Sequence, residues 1–324
     1  MFAVRGVAVS FSIFFIFYSA LTLAVGLLWR RVWEYRRQGS AKSCADMLFF
    51  LRMIPWVVSA VVTLAFAVPS FLLLEPRAVQ ESMSPVLVGL CIAGMAVLLA
   101  GAWNAAAALL RAAKTVAQWS NGAFVIGCSD VDPGQPVLLL RTAGAAPPLT
   151  AAGILRPRVW LSDAAEFVLT ERELRCALRH EVVHVRRRDN LRKLLLRVVA
   201  SPGMMRLESA WREATEMAAD DAAVSNASEA LDLAAAVIKL SRLVPLAAAD
   251  ELTTALVHSP VELVNARVER LIAWTERQSC APGYSLGYSM GYSLCAAAAV
   301  VATLALSYST LLVRVHAATE WLVR

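Results

Sequence analysis

Residues 6–29 read GVAVSFSIFFIFYSALTLAVGLLW, an unbroken stretch without Asp, Glu, Lys or Arg. A helix rising 1.5 Å per residue needs about 20 residues to cross a hydrocarbon layer of roughly 30 Å, so this stretch can span one. Backbone polar groups in lipid must pair within their own segment, which makes helix the expected conformation. Three further runs share the property: Met53–Leu74, Ser82–Leu110 and Gln278–Val313. They explain why the 324-residue chain is 58% hydrophobic and 17% charged, against about 45–50% and 25% in soluble domains. The expected architecture is a multi-pass α-helical membrane protein with four transmembrane helices. Three lie in 6–110, with a basic loop at 30–52, and the fourth in 278–313, followed by a short tail at 314–324. A cleaved signal peptide is not expected, because the first apolar run is too long and ends in Trp29-Arg30-Arg31 without small residues.

The net charge of +6 could suggest a nucleic-acid partner, but its distribution argues against one. From Arg111 to Arg277 the chain carries 21 Lys or Arg against 20 Asp or Glu. The loop 30–52 instead holds six basic residues (Arg30, Arg31, Arg36, Arg37, Lys42, Arg52) and two acidic ones (Glu34, Asp46). Short loops rich in Lys and Arg stay in the cytoplasm. That orientation puts 111–277 in the cytoplasm and both termini outside. Six cysteines without a CxxC pair read as reduced, buried thiols.

The polar region 111–277 is long enough for one domain. Its first part breaks short apolar runs (Ala123–Ile126, Pro136–Leu140, Val159–Leu161) with Gly, Pro and Asp, as strands joined by turns do. The remainder is helical. Thr170 and Glu173 have capping-box spacing ahead of Leu174, Leu178, Val182 and Val185. That helix is expected to run on through Leu191–Val199 until Ser201-Pro202-Gly203 stops it. A second covers Met204–Ser225, and Ser228 and Ser259-Pro260 open two more. Strands followed by helices make an α+β plan.

The chain has four histidines, and two of them stand in His180-Glu181-Val182-Val183-His184. Positions i and i+4 of a helix point the same way, so both imidazoles can bind one zinc ion, Zn2+. Glu181 can then take the proton of an attacking water whose pKa the metal lowers toward neutrality. A catalytic zinc needs a third protein ligand. Arg187 and Asn190 stand where an extended motif would put glycine and histidine, so a third histidine there is excluded. His258, beside Ser259-Pro260, is a weaker candidate. The helix Met204–Ser225 offers Glu208, Glu213, Glu216, Asp220 and Asp221. Glu216 and Asp220 are four apart, so one can bind zinc while the other orients an imidazole. Spacing alone leaves Glu213 and Glu216 both open.

Residues 153–190, from Gly153-Ile-Leu-Arg-Pro-Arg-Val-Trp-Leu-Ser162 to His180-Glu-Val-Val-His-Val-Arg-Arg-Arg-Asp-Asn190, resemble the BlaR/MecR family of membrane zinc peptidases. The later Glu216-Met-Ala-Ala-Asp220 resembles that family's Glu-x-Ala-Cys-Asp segment, with Ala219 in place of the cysteine. Arg267-Val-Glu-Arg-Leu271 resembles a weaker family element. The resemblance implies a gluzincin-type site with His180, His184 and Glu216 on zinc, Glu181 as general base and Asp220 behind a ligand. It also implies a bacterial inner-membrane antirepressor peptidase that cleaves a cytosolic regulatory protein such as a transcriptional repressor, and itself as well. Only Arg314–Arg324 follow the last run, so a penicillin-binding sensor and β-lactam sensing are not expected. The alternatives are a general quality-control zinc protease of the membrane and a non-catalytic signalling scaffold.

Three segments suggest partners. The strand Val159, Trp160, Leu161 is a candidate edge for pairing with an extended substrate, with an ordinary core strand as the alternative. Arg186-Arg187-Arg188 could meet anionic lipid headgroups, with a solvated basic turn as the commoner reading. Gly283, Gly287 and Gly291 stand four apart on one helix face, an arrangement that suits a contact between membrane helices or a homo-oligomer.

Overall fold

The computed structural model describes residues 2–36, 40–76, 83–129, 137–142, 147–199, 203–243, 254–255, 261–274, 307–318 and 320. Among these, three helices are long and apolar enough to cross a membrane: Phe2–Arg31, Ala41–Leu74 and Pro85–Ser120. The fourth expected span, with Gly283, Gly287 and Gly291, lies almost wholly outside the described residues, which resume as helix at 307–318. The chain forms two compact units, each discontinuous in sequence. One combines Met1–Leu28, Met53–Ala100 and Ala281–Arg324; the other combines Trp29–Arg52 and Gly101–Cys280.

In the first unit, α1 (Phe2–Arg36) packs Val9 and Ile13 with Phe71 and Leu87. α2 (Ala41–Val62) passes through a π-helical turn at Thr63–Ala67 into α3 (Val68–Leu74). Pro69 has no N–H, so the backbone there cannot keep an unbroken α-helical ladder. Tyr308 answers part of that deficit by donating its hydroxyl to the Ala65 carbonyl at 2.7 Å. α4 (Pro85–Ser120) approaches α1 closely at Gly94, where a Cβ would stand 2.5 Å from the Phe11 carbonyl oxygen.

The second unit is built on a five-stranded sheet: β1 (Phe124–Ser129), β2 (Val137–Thr142), β3 (Leu149–Ala152), β4 (Arg158–Ser162) and β5 (Thr254–Ala255). Its order is β1-β2-β4-β3-β5, with β2 and β4 parallel and the other pairs antiparallel. The expectation that Val159–Leu161 forms a substrate-pairing edge is therefore corrected. β4 is hydrogen-bonded on both sides, and Val159, Trp160 and Leu161 are buried as an interior strand. One sheet face receives Val116 and Trp119 of α4, with Trp119 set edge-on to Trp160.

The helices α5 (Asp163–Val168), α6 (Glu171–Arg187), α7 (Asp189–Val198), α8 (Met205–Ala223), α9 (Ala227–Ser241) and α10 (Val261–Ile272) follow. The long helix expected through Val199 is in fact two. Arg188 adopts the left-handed conformation (φ 54°, ψ 41°), closing α6 and opening α7. A bulky residue in that region costs about 1 kcal/mol or more and persists only where its surroundings demand it. α9 is capped by Asn226, whose side chain accepts from the Glu229 N–H, and not by Ser228. His258 lies outside the described residues.

The expected capping box opens α6. Thr170 accepts from the Glu173 N–H, while Glu173 accepts from the Thr170 N–H at 2.8 Å and from Lys239 at 2.7 Å. Burial works to raise the Glu173 pKa, but Lys239 and Thr170 outweigh it and hold the carboxyl below its ordinary value. The stability this group contributes is therefore complete above its unfolded pKa of about 4.3 and lost as pH falls through the lower folded value. Glu173→Gln is expected to cost about 0.5–1 kcal/mol at neutral pH and to flatten the acid limb. Unfolding midpoints measured from pH 7 downward check this, and the gap between the two proteins should narrow as the pH falls through the lowered folded value.

Candidate metal centre

The site is made by α6, α7, α8 and α10, with the end of β3 beside it. α6 is amphipathic and turns His180, Glu181 and His184 into the protein, where all three are buried. The two imidazole Nε2 atoms lie 3.0 Å apart. Glu216 of α8 brings one carboxylate oxygen to 3.5 Å from His180 Nε2 and the other to 3.7 Å from His184 Nε2. Ligand atoms of the three residues all fall within 4.8 Å of one another. Tetrahedral zinc with bonds of about 2.0–2.1 Å separates its ligand atoms by about 3.3 Å, so the three distances bracket the required spacing.

The opposite edge of each imidazole faces a carboxylate. His184 Nδ1 is 2.7 Å from Asp189, and His180 Nδ1 is 3.0 Å from Asp220, slightly off the ideal hydrogen-bond line. A carboxylate there keeps the ring proton on Nδ1, so each Nε2 presents its lone pair to the same point. Two lone pairs 3.0 Å apart repel unless a cation or a proton sits between them. The donor set therefore fits a divalent metal.

Arg267 of α10 closes the back of the site. It is fully buried, donates through Nε and Nη2 to Asp220 at 2.8 and 2.7 Å, and stands 3.2 Å from Glu216. Burial pushes the carboxyls of Asp220 and Glu216 upward. Arg267 and the histidines overcome this, bringing Glu216 to about 2 and Asp220 well below the ordinary carboxylate range. Burial disfavours charge on His180, yet Asp220 and Glu216 lift it to about 9. Glu181 behaves differently. Burial and the neighbouring Glu216 raise it to about 8, against the opposing pull of His180, the Ala151 backbone and Lys193.

Asn190 fastens this cluster to the sheet, donating to the carbonyls of Ala151 and Gly153 at 3.1 and 3.2 Å. Gly153 has φ +102°, and a Cβ there would stand 2.9 Å from the Arg156 carbonyl oxygen. Neither reading of the arginine run describes Arg187, which is largely buried and lies 3.6 Å from Asp189 and 3.9 Å from Asp46. Asp189 and Asn190 were unassigned from sequence, and Arg267 had a family resemblance without a role.

No curated protein sequence matches the chain. A family model described as BlaR1 peptidase M56 matches residues 77–260, more than half of the chain, and that stretch contains α6, α7 and α8 entire. The resemblance read from Gly153 to Asn190 is thereby borne out: the chain belongs to the BlaR1 peptidase M56 family of metallopeptidases.

Proposed function

We propose that the chain is an integral membrane zinc endopeptidase of gluzincin type, with its site on the cytoplasmic side. The carrying observation is the convergence of His180, His184 and Glu216 within 4.8 Å, each imidazole backed by a carboxylate. Bound zinc would supply a Lewis acid for the peptide carbonyl and for water. Glu181 accepts the proton of the attacking water on its carboxylate and returns it to the leaving amine nitrogen. Asp189 and Asp220 hold the imidazoles in one tautomer, and Arg267 keeps Asp220 and Glu216 ionised. The basic loop 30–52 supports the cytoplasmic placement, since short cationic loops remain inside.

The substrate we propose is a cytosolic regulatory protein of repressor type, the chemistry being peptide hydrolysis and the repressor coming from family analogy. The test is metal removal. Membranes carrying the full chain should generate proteolytic fragments, lose that activity on treatment with a zinc chelator, and regain it with added zinc. Fragments that persist in metal-depleted protein would dismiss the reading.

A further inference from the structure

The two ends of α7 have different neighbours. Its first residue, Asp189, lies against the metal-site imidazole of His184 at 2.7 Å. Beyond its last turn, the Val199 carbonyl accepts a hydrogen bond from the Arg52 guanidinium at 2.6 Å, and Arg52 is buried. Carbonyls at a helix C-terminus lack helical partners and carry the negative end of the dipole, so a buried arginine is a strong cap for them. Arg52 directly precedes the apolar run Met53–Leu74.

α4 meets the same end of α7. Any Cβ on Gly101 would collide with the Val198 carbonyl oxygen, so the two backbones touch there. Four residues earlier in α7, Leu194 packs on Ala108 and Ala112. Gly101, Ala105, Ala108 and Ala112 recur at helical spacing and are all buried, forming a shallow face along which α7 can lie. Gly101 falls inside the apolar run Ser82–Leu110. α2 also reaches the other end of α7. Asp46 pairs with Arg192 at 2.6 Å, and with Arg187 at 3.9 Å, whose Nε is 3.6 Å from Asp189.

We infer that α7 is a strut that ties α2 and α4 to the metal centre. Arg52 and Gly101 are positioning residues: they fix α7 against α2 and α4, α7 fixes Asp189, and Asp189 fixes His184. A change in how α2 and α4 pack would then alter the metal affinity of the site. This rests on the zinc reading above.

The experiment measures zinc affinity of the full chain in detergent, by competition with a chromophoric chelator, with folding followed by circular dichroism. Asp189→Asn should weaken zinc by about 10–100-fold, as loss of a ligand's hydrogen-bond partner does. Arg52→Gln and Gly101→Ala should each cost on the order of tenfold, and Arg52→Lys should restore most of the loss. Because the strut acts through Asp189, neither remote substitution should weaken binding further in an Asp189→Asn background. Remote variants with wild-type affinity, or losses that add in full to that of Asp189→Asn, would overturn the strut and leave the peptidase reading intact. A wild-type chain that binds no zinc would overturn both. Should a remote variant fail to fold, the isosteric Asp46→Asn replaces it: a weakened zinc affinity supports the strut and an unchanged one overturns it.

Discussion

Glu181→Gln is expected to retain zinc and lose turnover by about 10²–10⁴-fold. The substitution is isosteric and falls within α6, whose capping box is untouched. Glu181 is also outside the converging ligand set of His180, His184 and Glu216, so the donor geometry survives. What disappears is a buried carboxyl lifted toward neutrality, to about 8. A group exchanging protons with water and an amine at pH 7 works best with a pKa near that value, and an amide cannot take the proton at all. Metal analysis and single-turnover cleavage on the same preparation check the expectation. Wild-type turnover in the variant removes Glu181 from the chemistry, and loss of zinc would assign it a structural part instead.

Helical periodicity made the first half of the site readable. His180 and His184 share a face by spacing alone, and Thr170 and Glu173 marked where that helix begins. The strands β1, β2 and β4 showed because Gly, Pro and Asp interrupt apolar runs. β3 did not, since Leu149-Thr-Ala-Ala152 has little of the β-branched or aromatic character that signals a strand. The interior place of β4 depends on a parallel pairing with β2 across an intervening strand, which alternation within Val159–Leu161 does not encode.

Asp189 stayed hidden for a geometric reason. It is five residues past His184, off the face that a continuous helix would share with it. Only the left-handed turn at Arg188 swings it back, and no glycine or asparagine advertises that turn. The choice between Glu213 and Glu216 needed the relative rotation of α6 and α8, which spacing within α8 lacks. The tie from α7 to α2 and α4 was equally unreadable, because Gly101, Ala105, Ala108 and Ala112 sit in an apolar run whose faces look alike before a partner is placed on one.

Arg267→Met should be the most destabilising single substitution near the site, at about 3–5 kcal/mol. Methionine fills much of the volume, so packing is a minor part of the loss. The larger part is electrostatic: Asp220 and Glu216 would keep their buried charges without the guanidinium that now holds them at 2.7 to 3.2 Å. Zinc supplies positive charge to the same cluster, so the loss should be greater in metal-depleted protein than in zinc-loaded protein. Arg267→Lys should recover only part of it, because an ammonium cannot reproduce the fork that engages both oxygens of Asp220. The matching control is Arg267→Met with Asp220→Asn. Neutralising the stranded carboxylate should return part of the stability, giving a coupling of about 0.5–3 kcal/mol in a double-mutant cycle. Unfolding midpoints in detergent, with and without zinc, measure each of these. Additive losses would mean that Arg267 contributes by packing alone, and equal losses in the two metal states would detach it from the charge of the site.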